Sequence, residues 1–305
     1  NRTVFGPPPF ILTGMPGVGV SGPWAAVPLC CLYLLMLLGN GCLLWALGAE
    51  RGPAQRLLAL LALADLGLSL CTLPTVLAAF CVPAAPLPFR ACLAQMYFIH
   101  SLSAIESGLL VAMAFDRFVA VCHPLRYGAV LSGALLSGAA ALIVLRGVLV
   151  VLPVAVLMAG MSFCRPRVLA HSFCLHQDVL RLACGDVRPS SWYGLGAVVL
   201  TKGLDSLAIL LSYVLILRAI LATVSPGARA KAFGTCLSHL CAVLIFYIPL
   251  IGLSVIHRFG KRLPPLTHTL LADAYLLLPP VLNPLVYSWK TQHIRRRILL
   301  LLCRR

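Results

Sequence analysis

Acidic side chains are scarce in this chain: Asp and Glu together number 8 among 305 residues, and charged residues of both signs make up 10%. A soluble domain carries about 25% charged residues. So few charges cannot cover a water-facing surface, which excludes a soluble globular protein. Strict apolar–polar alternation is missing from the leucine-rich runs, which excludes an outer-membrane barrel of short strands of about 10 residues. No internal repeat is visible, against a transporter assembled from repeats. Neither His-Glu-x-x-His nor Gly-x-Ser-x-Gly occurs, so the common signatures of a zinc hydrolase and a serine nucleophile are absent. No catalysis and no organic cofactor are expected.

What is present is apolar: 61% of residues are hydrophobic, and the mean hydropathy is +0.98. The apolar residues fall in blocks near the roughly 20 residues that cross a bilayer as a helix. Seven such spans are read at Trp24–Gly48, Leu57–Phe80, Cys92–Cys122, Leu136–Met158, Trp192–Leu221, Ala232–His257 and His268–Trp289. The expected fold is an all-α membrane protein, a seven-helix bundle. It divides into an outer amino-terminal segment (1–23), the helical domain (24–289) and a basic tail (290–305). The tail "HIRRRILLLLCRR" reads as a short amphipathic helix on the inner membrane surface. The formal charge of +16 then meets lipid phosphate headgroups, not nucleic acid.

Seven crossings put the chain ends on opposite sides. Thirteen Lys and Arg fall on the side of the carboxyl end and nine on the other, while Arg146 and Lys202 fall within spans. This bias places the carboxyl end inside. Four of the nine lie in the long segment Ala159–Ser191, where the rule is weaker. Cys92, Cys164, Cys174 and Cys184 would all lie outside, where disulfides persist, and three pairings are open to them. Asn1-Arg2-Thr3 is an acceptor sequon for glycosylation at Asn1. No cleavable signal is evident, so the first span is expected to target the chain to the membrane. His171 and His176 lie near the loop cysteines, but the spacing is not of the Cys-x-x-Cys kind and no metal site is expected.

Several motifs in order carry a resemblance. "MAFDRFVAVCHPLRY" ends the third span, "KAFGTCLSH" opens the sixth, "FYIP" lies within it, and "PPVLNPLVYSWKT" closes the seventh. The chain resembles the rhodopsin-like G-protein-coupled receptors, and among them the odorant receptors. "HSFCLHQDVLRLAC" and "GLSVIHRFGK" are similar to the class I branch. The likeness spans nearly the whole chain. Departures are Pro53-Ala54-Gln55 where Pro-Met-Tyr is usual, Phe118 where Tyr is usual, Lys202 where an apolar residue is expected, and Asp273 where Asn is more usual.

The resemblance implies a receptor that binds a small, polar or carboxylic-acid odorant in the outer half of the bundle. It would activate a stimulatory heterotrimeric G-protein and raise cAMP. The same fold used outside the nose is the near alternative, and a small-solute transporter the remote one. Asp116, Arg117, Tyr213, Tyr247, Asn283, Pro284 and Tyr287 are then the activation switch. Arg117 would be freed when the sixth span swings outward, and Tyr213 and Tyr287 would lock the active state. The inner loop "TVSPGARAKAFGTCLSH" and Arg126 are expected to meet the G-protein. Asp65 and Glu106 are intramembrane acids that would share a proton or hold a cation such as sodium; the plainer reading has two separate carboxyls bonded to backbone or to the side chains of Ser69, Ser103 and Ser107. The implied disulfides are Cys92–Cys174 and Cys164–Cys184. The ligand set is Arg258 as carboxylate anchor, His100, Gln177, Gly194 and Ser254, with Lys202 and Asp273 as added charges. Lys202 either pairs with Asp205 one turn along its helix or presents a second cation to the ligand.

Overall fold

The computed structural model describes residues 9–13, 26–48, 52–82, 85–164, 166–169, 171–223, 225–259, 263–290 and 295–297. Seven long helices dominate: α1 (Ala26–Leu47), α2 (Pro53–Cys81), α3 (Phe89–Cys122), α4 (Gly133–Ala159), α5 (Arg188–Ala222), α6 (Pro226–Phe259) and α7 (Pro265–Lys290). Each is long and apolar enough to cross a membrane. Several begin before the apolar run does, α6 at Pro226 for example. Their first turns are polar or basic and can sit at the interface, where hydropathy gives no signal.

The bundle is built around α3. Of its apolar window 61% is buried, against 22% for α1, α4 and α5, whose leucine-rich faces are left for lipid. Packing is densest where α3 meets α2, α4 and α5, where α1 meets α2, and where α6 meets α7. Interior prolines occur in α2, α4, α6 and α7. In a bilayer the carbonyl that each one frees must find another donor. One case is visible here. Pro284 has no N–H for the carbonyl of Pro280, and Asn40 Nδ2 in α1 donates to that oxygen at 2.8 Å. Gly39 beside it lets the helices close, since a Cβ there would lie 3.0 Å from Pro284 Cγ.

α5 holds a π-helical stretch at Val199–Gly203 between two α-helical segments. A π turn takes in extra residues and rotates the side chains before it relative to those after.

The all-α expectation needs one amendment. Five short strands form a cap at the end of the bundle where α3 begins. Strand β1 (Phe10–Leu12) pairs antiparallel with β2 (Ala85–Leu87) and parallel with β4 (Val168–Leu169), while β3 (Ser162–Phe163) pairs with β5 (Ala183–Cys184). Strands of two or three residues are too short to show an alternating pattern. Phe10 and Leu12 are buried beneath the cap, and Phe10 meets Phe163 edge-on at 5.4 Å between ring centres.

Cys92–Cys174 and Cys164–Cys184 are both bonded, the first tying the loop to the first turn of α3. Residues 295–297 are helical, and Arg297 Nη1 donates to Ala46 O at 3.0 Å, in the last turn of α1. The tail and the cysteine loop therefore lie at opposite ends of the bundle, as seven crossings require. The rest of the expected amphipathic tail, and Asn1 of the sequon, lie outside the described residues.

Candidate functional site

A cavity of about 440 Å³ opens in the half of the bundle next to the cap. Its walls come from α3, α4, α5, α6, α7 and the loop at His176–Gln177. His100, Gln177, Gly194, Lys202 and Ser254, all expected from the sequence, line it together. Gly194 is required by a close approach: a Cβ would lie 2.8 Å from Cε1 of His176. The Arg258 side chain lies outside the described residues. Asp273 is not among the cavity residues, which corrects the expectation that it meets the ligand. Tyr275 does line the cavity, and two residues back on a helix points some 200° away. Asp273 accordingly neighbours Tyr33 of α1 and His171 of the loop.

The cavity floor is polar. Lys202 Nζ donates to Ser103 O and, at 2.9 Å, to Ser103 Oγ. Tyr275 OH donates to the same Oγ at 2.6 Å. Of the two readings for Lys202, the contact pair with Asp205 does not form: Lys202 lies in the π stretch and bonds Ser103, while Asp205 is held by Arg146. Asp205 instead takes the guanidinium fork of Arg146 from α4, at 2.7 and 2.6 Å, and a hydrogen bond from Ser107 Oγ at 2.7 Å. Ser107 gives its proton to the carboxylate, so Tyr247 OH donates to Ser107 at 2.9 Å. Gly108 leaves room for the fork; a Cβ there would come within 3.0 Å of Arg146 Nη2.

One turn inward lie the two acids. Asp65 and Glu106 sit beside each other, fully buried, and Asn283 Nδ2 donates to Asp65 Oδ2 at 3.0 Å. The serine reading is corrected. Ser69 donates to a backbone carbonyl, Ser103 serves Lys202 and Tyr275, and Ser107 serves Asp205. Asp65 Oδ1, Glu106 Oε1 and Asn283 Oδ1 are buried without a protein partner. Three acceptor oxygens in one place suit a monovalent cation or ordered water.

At the end of the bundle away from the cap, Arg117 is folded back on Asp116. Nε reaches Oδ2 at 2.9 Å, Nη2 bonds the same oxygen, and Tyr127 OH donates to Oδ1 at 2.7 Å. Asp116 is 1% exposed; among the described residues Arg117 is the cation in contact with it, and Tyr127 adds a hydrogen bond. Tyr213 and Tyr287 do not bond each other. Tyr213 OH donates to Nδ1 of His239 at 2.8 Å, while His239 Nε2 donates to Leu110 O at 3.0 Å, joining α3, α5 and α6. Tyr287 OH lies 4.0 Å from Met113 Sδ. Arg117 is thus held by its neighbour, and the two tyrosines have separate partners. Asn40, Tyr127, Arg146, His239 and Tyr275 were not singled out as site residues from the sequence, and Ser103 was named only as a partner of the buried acids. Only Arg146 gave a signal, as a lone charge within a span.

The loop is fastened over the cavity. Gln95 Oε1 accepts from Cys174 N at 2.9 Å, His176 N donates to His100 Nε2 at 3.3 Å, and His176 Nε2 faces Ser190 Oγ at 2.9 Å. Asp178 lies between His171 Nε2 at 3.2 Å and His257 Nε2 at 3.1 Å. Burial works against its charge, but the two imidazoles hold its carboxyl well below the usual carboxylate range. No group of three or more metal-ligating side chains occurs among the described residues.

Burial pushes the His176 imidazole down to about 4 from 6.5. A base with a lowered pKa stabilises the fold fully above its unfolded value, and that contribution is lost as pH falls through the window from 6.5 to about 4. The melting temperature of the purified protein should therefore decline across that window, and His176→Asn should flatten the decline. An unchanged slope in the variant would assign the acid sensitivity elsewhere.

Comparison with known proteins gives a consistent answer. The olfactory receptor family model matches residues 29–305. Human olfactory receptor 51G2 is 48% identical over 95% of this chain and 93% of its own length. Rat olfactory receptor 51E2 is 49% identical over 95% and 92%. Human olfactory receptor 51L1 is 48% identical over 96% and 94%.

Proposed function

The chain belongs to the olfactory receptor family, in the class I branch of the rhodopsin-like receptors, and from that premise we propose that it detects a small polar or carboxylic-acid odorant at the plasma membrane. The odorant enters the capped half of the bundle, which faces outside, and the end bearing Arg117 and the basic tail faces the cytosol. The single observation that carries this reading is the cavity itself. It is apolar on most sides, has a few convergent polar groups, and touches five of the seven helices. A ligand there bears on α3, α5, α6 and α7 at once, and so can favour one packing of the bundle over another.

The partner in this reading is a stimulatory heterotrimeric G-protein, with cAMP as the output. Arg117, Arg126 and the inner end of α6 form its landing surface. The Asp65–Glu106–Asn283 oxygens would hold a sodium ion or a shared proton in the resting state. Lipid headgroups meet the exposed Arg residues of the inner end.

The test is a panel of small acids, alcohols and amines applied to cells expressing the chain with a stimulatory G-protein. At least one class, with acids foremost, should raise cAMP in a dose-dependent way that cells lacking the receptor do not show. Silence across the panel at verified surface expression would remove this reading.

A further inference from the structure

Lys202 is the unusual group in the cavity. It is 8% exposed and stands within a membrane span where lipid and protein surround it. Its ammonium carries three donors, and both hydrogen bonds it makes go to Ser103. Its charge lies 4.6 Å from the centre of the Phe246 ring. A cation removed from water needs an anion. Among the described residues none is in contact: no carboxylate oxygen comes within 4.0 Å of Nζ. Asp205, the nearest acid along the helix, is held in the fork of Arg146. Glu106, one turn along α3 from Ser103, sits against Asp65. Glu106 and Asp205 attract Lys202 through space, but neither touches it, so the ammonium stands at the cavity wall with no carboxylate in contact among the described residues.

The geometry points to a carboxylate-binding subsite at the floor of the cavity, in which Lys202 supplies the missing counter-charge to a ligand acid. This deepens the proposed function and rests on it, by naming both the ligand group and the end of the cavity that receives it. The ligand is a monocarboxylate, bound head inward. Ser103, itself fixed by Tyr275, holds the ammonium in place, and Nζ has a donor left for the carboxylate. Val151, Val154, Leu195, Leu250, Leu253 and Val255 line the rest of the cavity and receive the hydrocarbon tail. An acid with an apolar chain fits both ends; its ester or alcohol leaves the ammonium without an anion. The alternative anchor is Arg258, near the outer mouth, and the two make opposite predictions.

Dose–response curves for cAMP, together with ligand-induced thermal shifts of purified protein, would be compared for short- and medium-chain monocarboxylates and their methyl esters. The receptors are wild type, Lys202→Met, Lys202→Arg and Arg258→Ala. Acids are expected to act on wild type and their esters not to. Lys202→Met should raise the acid concentration needed by roughly tenfold or more, the scale of a lost charge-assisted contact. Lys202→Arg should retain much of the response, and Arg258→Ala should change it little. If Lys202→Met does not reach the surface, Lys202→Gln takes its place. Acids that act equally on Lys202→Met, or that fail only on Arg258→Ala, overturn the subsite and leave the receptor reading intact. If alcohols or amines act on wild type and acids do not, the subsite and the acid reading fall together. If nothing acts, the proposed function itself has failed.

Discussion

Replacing Arg117 by alanine is expected to leave the receptor at the cell surface and to reduce its cAMP output to that of cells without it. In the resting packing Arg117 is tied to Asp116 next to it, and Asp116 is tied in turn to Tyr127. The carboxylate left behind keeps its hydrogen bond from Tyr127 and lies where removing the partly exposed Arg117 side chain lets water in, so the bundle holds. The neighbouring packing of Phe118 and Val121 against Ile216, Ile220 and Cys236 does not depend on the guanidinium. What is lost is the cation that an opened α6 would present to the G-protein. Asp116→Asn is the mirror experiment. It removes charge-assisted hydrogen bonds of about 1.5–3 kcal/mol from the resting state. Ligand-free output should then rise by roughly ten- to a hundredfold. Full ligand-driven cAMP from Arg117→Ala at normal surface density would end the switch argument.

The second large effect is structural. Asp205→Ala should prevent most of the protein from reaching a folded, surface-expressed form. Arg146 Nη1 and Nη2 both end on Asp205, inside the membrane-spanning region, and Ser107 and Tyr247 complete the network across α3 and α6. Breaking such a pair by removing one partner costs about 3 kcal/mol at the lower end of the usual range, because the other charge stays behind. That is a large share of the 5–15 kcal/mol or so of a typical fold. Removing both, as Arg146→Leu with Asp205→Leu, should restore expression, since no charge is then stranded. A double variant no better than the single one would show that the network matters for shape and not for charge. Surface immunostaining beside total expression measures all three.

The spans were legible because hydropathy in blocks of membrane length has few other meanings. The inner motif was legible because Asp116 and Arg117 interrupt an apolar run. The disulfides followed from resemblance; the spacing of four cysteines did not choose among pairings. What stayed hidden are contacts between residues far apart in the chain. Arg146 meets Asp205 across 59 positions and Asn40 meets Pro280 across 240, and no local pattern encodes either. Lys202 and Asp205 looked like a pair at helical spacing. Each instead found a partner on another helix, Ser103 and Arg146, and the π stretch at Val199–Gly203, which shifts helical phase, has no hydropathy signature. Asp273 was placed at the right depth but on the wrong face of α7, because helical phase from sequence alone does not say which neighbour a face will meet. The capping strands were missed for their brevity.

The central claim is that a ligand held in the capped cavity changes the packing of the inner ends of the helices. Leu125, fully exposed beyond the inner end of α3, and Phe233, exposed near the inner start of α6, are suitable reporters. Spin-labelled amino acids introduced at both positions avoid the native cysteines, and the distance between them can be measured in purified receptor. A saturating ligand from the acid panel, with the G-protein present, should lengthen that distance by several ångströms, and the same ligand should not do so in a variant whose cavity is filled by Ser254→Phe. A distance unchanged by a ligand that raises cAMP would contradict the account.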